Sequence, residues 1–203
     1  MFNKKELSEK TVDPDPFVQF EIWYKEHLNC GIAIPDTVSL GTASADGRIS
    51  VRTVLLKEYN ENGFFFFTNY TSKKGVQIIA NPGVALLFYW PESDRQVRIE
   101  GIIEKISGKE SSDYFITRPR ESQIAAWASE QSSIIPDRRH LDKLYDFYKN
   151  KFDSKPVEKP RHWGGYRVVP DFFEFWQAGE FRLHDRLIYT KRGDTWKIER
   201  LAP

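Results

Sequence analysis

Four phenylalanines in a row, Phe64 to Phe67, follow a turn signal at Asn60 to Gly63 and lead into polar residues from Thr68. Successive strand side chains point to opposite faces, so as a strand this run needs protein covering both sides. A buried helical segment could carry the same four residues, and the run alone does not exclude it. Its surroundings have a β texture. TVSLGTAS from Thr37 and RISVRTVLLKEY from Arg48 flank Ala45, Asp46 and Gly47, where Asp-Gly supplies type I′ hairpin chemistry. GVALLFYW and RQVRIEGIIEKIS form a second hairpin pair. GGYRVVP, FFEFWQ, RLHDRLIYTKR and TWKIERLA close the chain, with a last turn at Arg192 to Asp194. Aromatic residues are abundant, with 15 Phe, 9 Tyr and 6 Trp, which suits either a β-rich core or flat ligands.

Helices interrupt these strands. Asp15 and Pro16 provide a cap and a first turn for a helix over 16–29, with Phe17, Phe20, Trp23 and Tyr24 at helical spacing. Ser72 caps a short helix through KKGVQIIAN. Further helices are expected over 109–117, over 121–130 after a break at Pro119, and over 138–152. About seven β segments without regular βαβ alternation indicate a mainly β fold with helices, an antiparallel sheet closed into a barrel. A single domain is expected over 16–203, with helical insertions around 109–152, and residues 1–15 are expected to form a mobile arm.

Charge and cysteine usage exclude several function classes. Thirty Lys plus Arg balance 29 Asp plus Glu, a net charge of +1, so no global field attracts nucleic acid or an anionic membrane. No apolar stretch is long enough to span a bilayer, and MFNKKELSEK lacks a secretory h-region. Cys30 is the sole cysteine, and with four scattered histidines it leaves zinc without a ligand set. No metal site and a cytoplasmic location are the expectations.

Four clusters carry candidate chemistry. Arg52 and Lys57 bracket RTVLLK and, five residues apart on a strand, face opposite ways; solvated edge cations are the alternative. FTNYTSKKG places Thr68, Ser72, Lys73 and Lys74 at a helix N-terminus, which can hold phosphate or can be an ordinary capped surface helix. Tyr114, Arg118 and Ser122 recur every four residues, a phenol, a guanidinium and a hydroxyl suited to a phosphate monoester. Pro119 makes two short helices meeting at Arg118 more plausible than one. In FRLHDR, a strand would align Arg182, His184 and Arg186 on one face, where they need an anionic or π-rich partner.

Together these segments resemble the pyridoxamine 5′-phosphate oxidase family. The resemblance rests on RTVLLK at 52–57, FTN and SKKG within 67–75, RQVRIEG at 95–101, YFITRPRESQIAAWASEQS at 114–132, HWGGYRV at 162–168, EFWQAGEFRLHDR at 174–186 and the terminal RLAP. It implies a homodimeric split β-barrel with FMN bound across the subunit interface. It further implies FMN contacts from Arg52, Thr53, Val54, Leu55, Leu56, Lys57, Phe67, Thr68, Lys73, Lys74, Gln96, Gln131, Ser132, Trp176 and Arg186. Lys57, Tyr114, Arg118, Ser122, Arg182, Leu183 and His184 would hold substrate, with Arg182 and His184 as the catalytic pair.

The implied reaction oxidises pyridoxamine or pyridoxine 5′-phosphate to pyridoxal 5′-phosphate, with dioxygen as acceptor and hydrogen peroxide as product. An FMN oxidase acting on another small molecule, as relatives in phenazine synthesis do, and a non-catalytic flavin or pyridoxal phosphate binder are the alternatives. Ala125 and Ala178 stand where the family usually has glycine, and residues 1–15 lack the Arg and Tyr of its usual covering segment.

Overall fold

The protein is described by a computed structural model over residues 7–203. Helix α1 (Pro16–Leu28) begins where Asp15 accepts a hydrogen bond from the Phe17 amide at 2.8 Å. Nine strands then form one antiparallel sheet among the described residues: β1 (Thr37–Ala43), β2 (Ile49–Leu55), β3 (Glu58–Asn60), β4 (Gly63–Asn69), β5 (Gly83–Trp90), β6 (Arg95–Lys105), β7 (Trp163–Gln177), β8 (Asp185–Arg192) and β9 (Thr195–Arg200). Helix α2 (Lys73–Ala80) follows β4, while α3 (Gly108–Thr117), α4 (Arg120–Ala128) and α5 (Arg138–Lys151) fill the connection between β6 and β7. The sheet runs β2-β1-β5-β6-β7-β4-β3, with β8 and β9 added on β7. Four strands separate β2 from β4 in that order, yet both line one cavity, so the sheet curls into the expected barrel-like form.

The phenylalanine run forms β4. Phe64, Phe65 and Phe66 are all buried, as a strand covered on both faces requires. Phe20 of α1 is the hub of the core, with no exposed surface and ring contacts to Tyr24, Tyr59, Phe64, Phe88 and Trp90. The two segments read as GGYRVVP and FFEFWQ are one 15-residue strand, β7. Its register with β6 shifts between Glu100 and Gly101, where a Cβ on Gly101 would meet the Val169 carbonyl oxygen at 2.2 Å. This bulge lets the strand bend without ending.

Three local expectations are corrected. The Asp46-Gly47 turn is not type I′, since only Gly47 has positive φ. Gly47 donates to the Ser44 carbonyl and Ser44 to that of Arg48, giving a longer hairpin loop closed by a left-handed glycine. RLHDR is not continuous strand: Glu180–Arg182 is a 3-10 turn with Phe181 and Arg182 at φ 54° and 65°, and β8 starts at Asp185. Arg182, His184 and Arg186 therefore do not share a strand face. Within the expected arm, residues 1–6 lie outside the described residues, while 7–15 are tied down. Leu7 is 3% exposed, its carbonyl and the Glu9 carboxylate accept from Arg200, and the Asp13 carbonyl accepts from the Tyr189 hydroxyl at 2.7 Å.

Because Phe20 joins α1 to three strands, β3, β4 and β5, Phe20→Ala should cost about 3–5 kcal/mol of unfolding free energy. Urea denaturation followed by tryptophan fluorescence measures this as a lowered midpoint.

Candidate active site

The curl of the sheet opens a cavity of about 470 Å³ between β2, β4, α2 and the junction of α3 with α4. Its walls include Thr53, Val54, Leu55, Lys57, Phe67, Thr68, Lys74, Tyr114, Arg118, Ser122, Gln131 and Trp163. Most of the first three sequence clusters therefore meet in one place. Leu56 instead turns into the core, leaving its backbone as the part able to face a ligand. Lys73 and Ser132 line an adjoining cavity of about 550 Å³ with Arg48 and Gln131, which borders both spaces.

Basic groups around the main cavity are held by neutral partners. Arg52 donates to the Leu40 carbonyl, the Thr42 hydroxyl and the Gln77 side-chain oxygen. Lys74 is buried, and its Nζ donates to Gln131 Oε1 at 2.8 Å and Thr68 Oγ1 at 3.1 Å. Desolvation first, and the nearby charge of Arg52 second, lower its pKa to about 8. Lys57 differs: its Nζ lies 2.5 Å from Asp36, a carboxylate the motif reading did not single out.

Arg118 lies at the helix junction, as the Pro119 argument predicts. It adopts extended backbone at φ −72°, ψ 150° between α3 and α4. Its guanidinium lies 4.7 Å above the Trp163 ring, and burial holds its pKa below the usual arginine value. Nη1 is buried and has no hydrogen-bond partner among the described residues. Tyr114 stacks on Phe67 at 3.8 Å, and Phe67 in turn stacks on Trp163 at 5.4 Å. This aromatic wall fixes the guanidinium while leaving a donor without an acceptor. Trp163, unlike Tyr114, has no place in the helical spacing that drew attention to the cluster. Its signal was its place in HWGGYRV at 162–168, one of the stretches that carry the family resemblance.

A cationic cluster lacking a buried carboxylate has the donor set for an anion such as phosphate. Lys74 with Thr68, and Arg118 with Ser122 and Tyr114, give two groups of donors on the same cavity. Both groups have the donors that an anionic ligand group such as a phosphate would use.

The remaining expected site residues stand elsewhere. Gln96 pairs with Trp176 across β6 and β7, and Trp176 pairs with Arg186 across β7 and β8. The His184 ring lies 4.7 Å from that of Trp176, and its Nδ1 accepts from the Gly179 amide at 3.2 Å. A neutral His184 thus carries its hydrogen on Nε2. Arg182 and Leu183 are exposed on the preceding turn. That turn is held by Gly179, where a Cβ would meet the Leu183 carbonyl oxygen at 1.9 Å. This group lies near the end of β7 at Gln177, whereas the cavity lies near its start, where Phe67 pairs with Gly165.

Comparison with known proteins identifies the family. Residues 24–143 match the model described as pyridoxamine 5′-phosphate oxidase, and 163–203 match the pyridoxine 5′-phosphate oxidase C-terminal dimerisation region. Pyridoxine/pyridoxamine 5′-phosphate oxidase of Rubrobacter xylanophilus is 49% identical over 202 residues, covering 100% of this chain and 93% of its own. The Burkholderia lata protein of that name is 50% identical over 205 residues, covering 100% of this chain and 95% of its own. Among solved structures, PhzG from Burkholderia lata 383, in complex with tetrahydrophenazine-1-carboxylic acid, superposes with a TM-score of 0.90 at 28% identity, covering 98% of each chain. A pyridoxamine 5′-phosphate oxidase-related, FMN binding protein from Nostoc punctiforme has the same fold, with a TM-score of 0.73 at 17% identity over 93% of this chain and 98% of its own. On the strength of its curled sheet, its cationic cavity and these matches along the chain, the protein belongs to the pyridoxamine 5′-phosphate oxidase family.

Proposed function

We propose that the protein is an FMN-dependent oxidase that converts pyridoxamine 5′-phosphate and pyridoxine 5′-phosphate to pyridoxal 5′-phosphate. The alcohol reacts with dioxygen to give the aldehyde and hydrogen peroxide; the amine also consumes water and releases ammonia. The observation that carries this reading is the partnerless buried Nη1 of Arg118 beside Ser122 and Tyr114, a guanidinium with two hydroxyl donors that together suit the three oxygens of a phosphate monoester. The 50% identity to an oxidase named for these substrates, against 28% to PhzG from the same species, supports the same choice.

Bound FMN supplies a two-electron acceptor that dioxygen reoxidises. Lys74, Thr68, Arg52 and Gln131 are the groups suited to its phosphate, with Lys73 and Ser132 beside them. Arg118, Ser122, Tyr114 and Lys57 hold the substrate phosphate, so binding energy remote from the reacting carbon orients the ring. Arg182 and His184 orient the reacting substituent, with Nε2–H of His184 available as a donor. Since these two residues lie toward the other end of β7, a second copy of the chain would bring them, with Gln96, Trp176 and Arg186, to the cavity. The family's dimerisation region supports that homodimer. So do the exposed apolar residues Ile49 and Val51 on β2 and Val76 and Ile79 on α2, elements joined by a Gln77–Ser50 hydrogen bond.

The likeness to PhzG favours a second reading, an oxidase of a reduced phenazine precursor. One assay separates the two. FMN-loaded protein under air should produce equal amounts of peroxide and aldehyde from pyridoxine 5′-phosphate. Turnover of tetrahydrophenazine-1-carboxylic acid, with none of the phosphorylated vitamer, would transfer the assignment to the second reading.

Arg118→Ala should raise KM for pyridoxine 5′-phosphate by about 100-fold with a smaller change in kcat, while leaving the slow rate on unphosphorylated pyridoxine nearly unaltered. Initial rates with the two vitamers measure this. Lys74 adds a pH dependence. Its pKa falls from 10.5 in the unfolded chain to about 8 in the folded protein, so the ammonium is present below pH 8 and is lost above it. FMN affinity of the apoprotein should therefore weaken as pH rises through about 8, and the FMN-free fold should gain stability from this group between pH 8 and 10.5. Flavin fluorescence titrations from pH 7 to 10 test the first effect, with Lys74→Met expected to flatten the curve.

A further inference from the structure

Glu174 plays no part in the reading above, yet it is the buried carboxylate behind the second residue group. It sits on β7 two residues before Trp176, so both side chains lie on one face of the strand. Its side chain is 7% exposed and stands between two guanidinium groups. Arg186 donates from Nε to Oε1 at 2.7 Å, and Arg98 Nη2 lies 2.8 Å from Oε2. The Arg98 contact pairs the charges without hydrogen-bond geometry, since Oε2 is without a hydrogen-bond partner among the described residues. The Arg186 contact is therefore the directional one.

Arg186 is held at a second point, where Nη1 donates to the Ala202 carbonyl at 2.9 Å. Two fixed acceptors on adjacent nitrogens set both the position and the plane of a guanidinium. The remaining nitrogen, Nη2, makes no hydrogen bond among the described residues. It belongs to the residue directly opposite Trp176, in the row that also contains Gln96.

We propose that Glu174 is a positioning residue for FMN binding, acting through Arg186 by fixing its guanidinium plane so that Nη2 is presented in the row formed by Gln96 and Trp176. This rests on the FMN reading of the preceding section. A buried carboxylate is costly to keep in a sheet unless its partners are fixed. Here that cost is compensated by two cations, and one of them is a residue assigned to the cofactor.

The test is a double-mutant cycle on the full-length protein freed of flavin, read as the dissociation constant of FMN from fluorescence quenching. Glu174→Gln should weaken FMN binding by about tenfold, because the amide no longer offers a charge to orient Arg186. Arg186→Ala should weaken it at least as much, and adding Glu174→Gln to Arg186→Ala should change nothing further. Wild-type affinity in Glu174→Gln, or losses that add in the double variant, would overturn the proposal while leaving the FMN reading intact. Failure of the wild-type protein to bind FMN would overturn both. Thermal unfolding of the flavin-free variants separates the roles, since a purely structural Glu174 would lower Tm without changing the dissociation constant. Should Glu174→Gln not fold, Glu174→Asp, which keeps the charge but shortens its reach, enters the same cycle with the same expected non-additivity.

Discussion

The structure depends on β7 running unbroken for 15 residues. It pairs with β6 along its length, with β4 near its start and with β8 near its end, so a single strand fixes both wings of the sheet. A flat strand of that length would leave an open sheet. The bulge opposite Gly101 instead lets it bend, and the bend allows β2 to approach β4 with a cavity between them. The same length separates the two groups of site residues. Candidate residues therefore stand near each end of β7, and association of two copies would be the simple way to unite them.

Within the cavity the dominant energetic fact is a deficit of negative charge. Lys74 and Arg118 give up hydration without an acidic partner, and aromatic rings and neutral oxygens offset only part of that loss. An anion that enters would relieve the deficit, so the proposed phosphate binding and the desolvation of these two cations share one physical origin. Lys57 is the exception in having a carboxylate partner, Asp36.

Much of this was legible in the sequence where local chemistry governs conformation. Asp15 and Ser72 act as caps, Pro119 separates α3 from α4, and the phenylalanine run is a strand buried on both faces. The strand reading failed at Phe181 and Arg182 because left-handed backbone at non-glycine residues is imposed by tertiary context, here Gly179 packed against Leu183. The residues preceding α1 read as a loose arm because their composition is polar, and the partner that fixes them, Arg200, is distant in sequence. The candidate cavity was partly legible through the spacing of Tyr114, Arg118 and Ser122. Supporting residues such as Trp163, Asp36, Gln77 and Glu174 were not, because each acquires its role only when remote strands or helices meet.

The packing around Gly179 also sets two neighbouring small residues under different steric constraints. Ala178, whose amide is used in a bond to the Asp94 carbonyl, accommodates its methyl, whereas any side chain at 179 would collide with the backbone that it supports. At position 179 a Cβ would meet the Leu183 carbonyl oxygen at 1.9 Å, so any side chain there requires the backbone of the turn carrying Arg182 to shift.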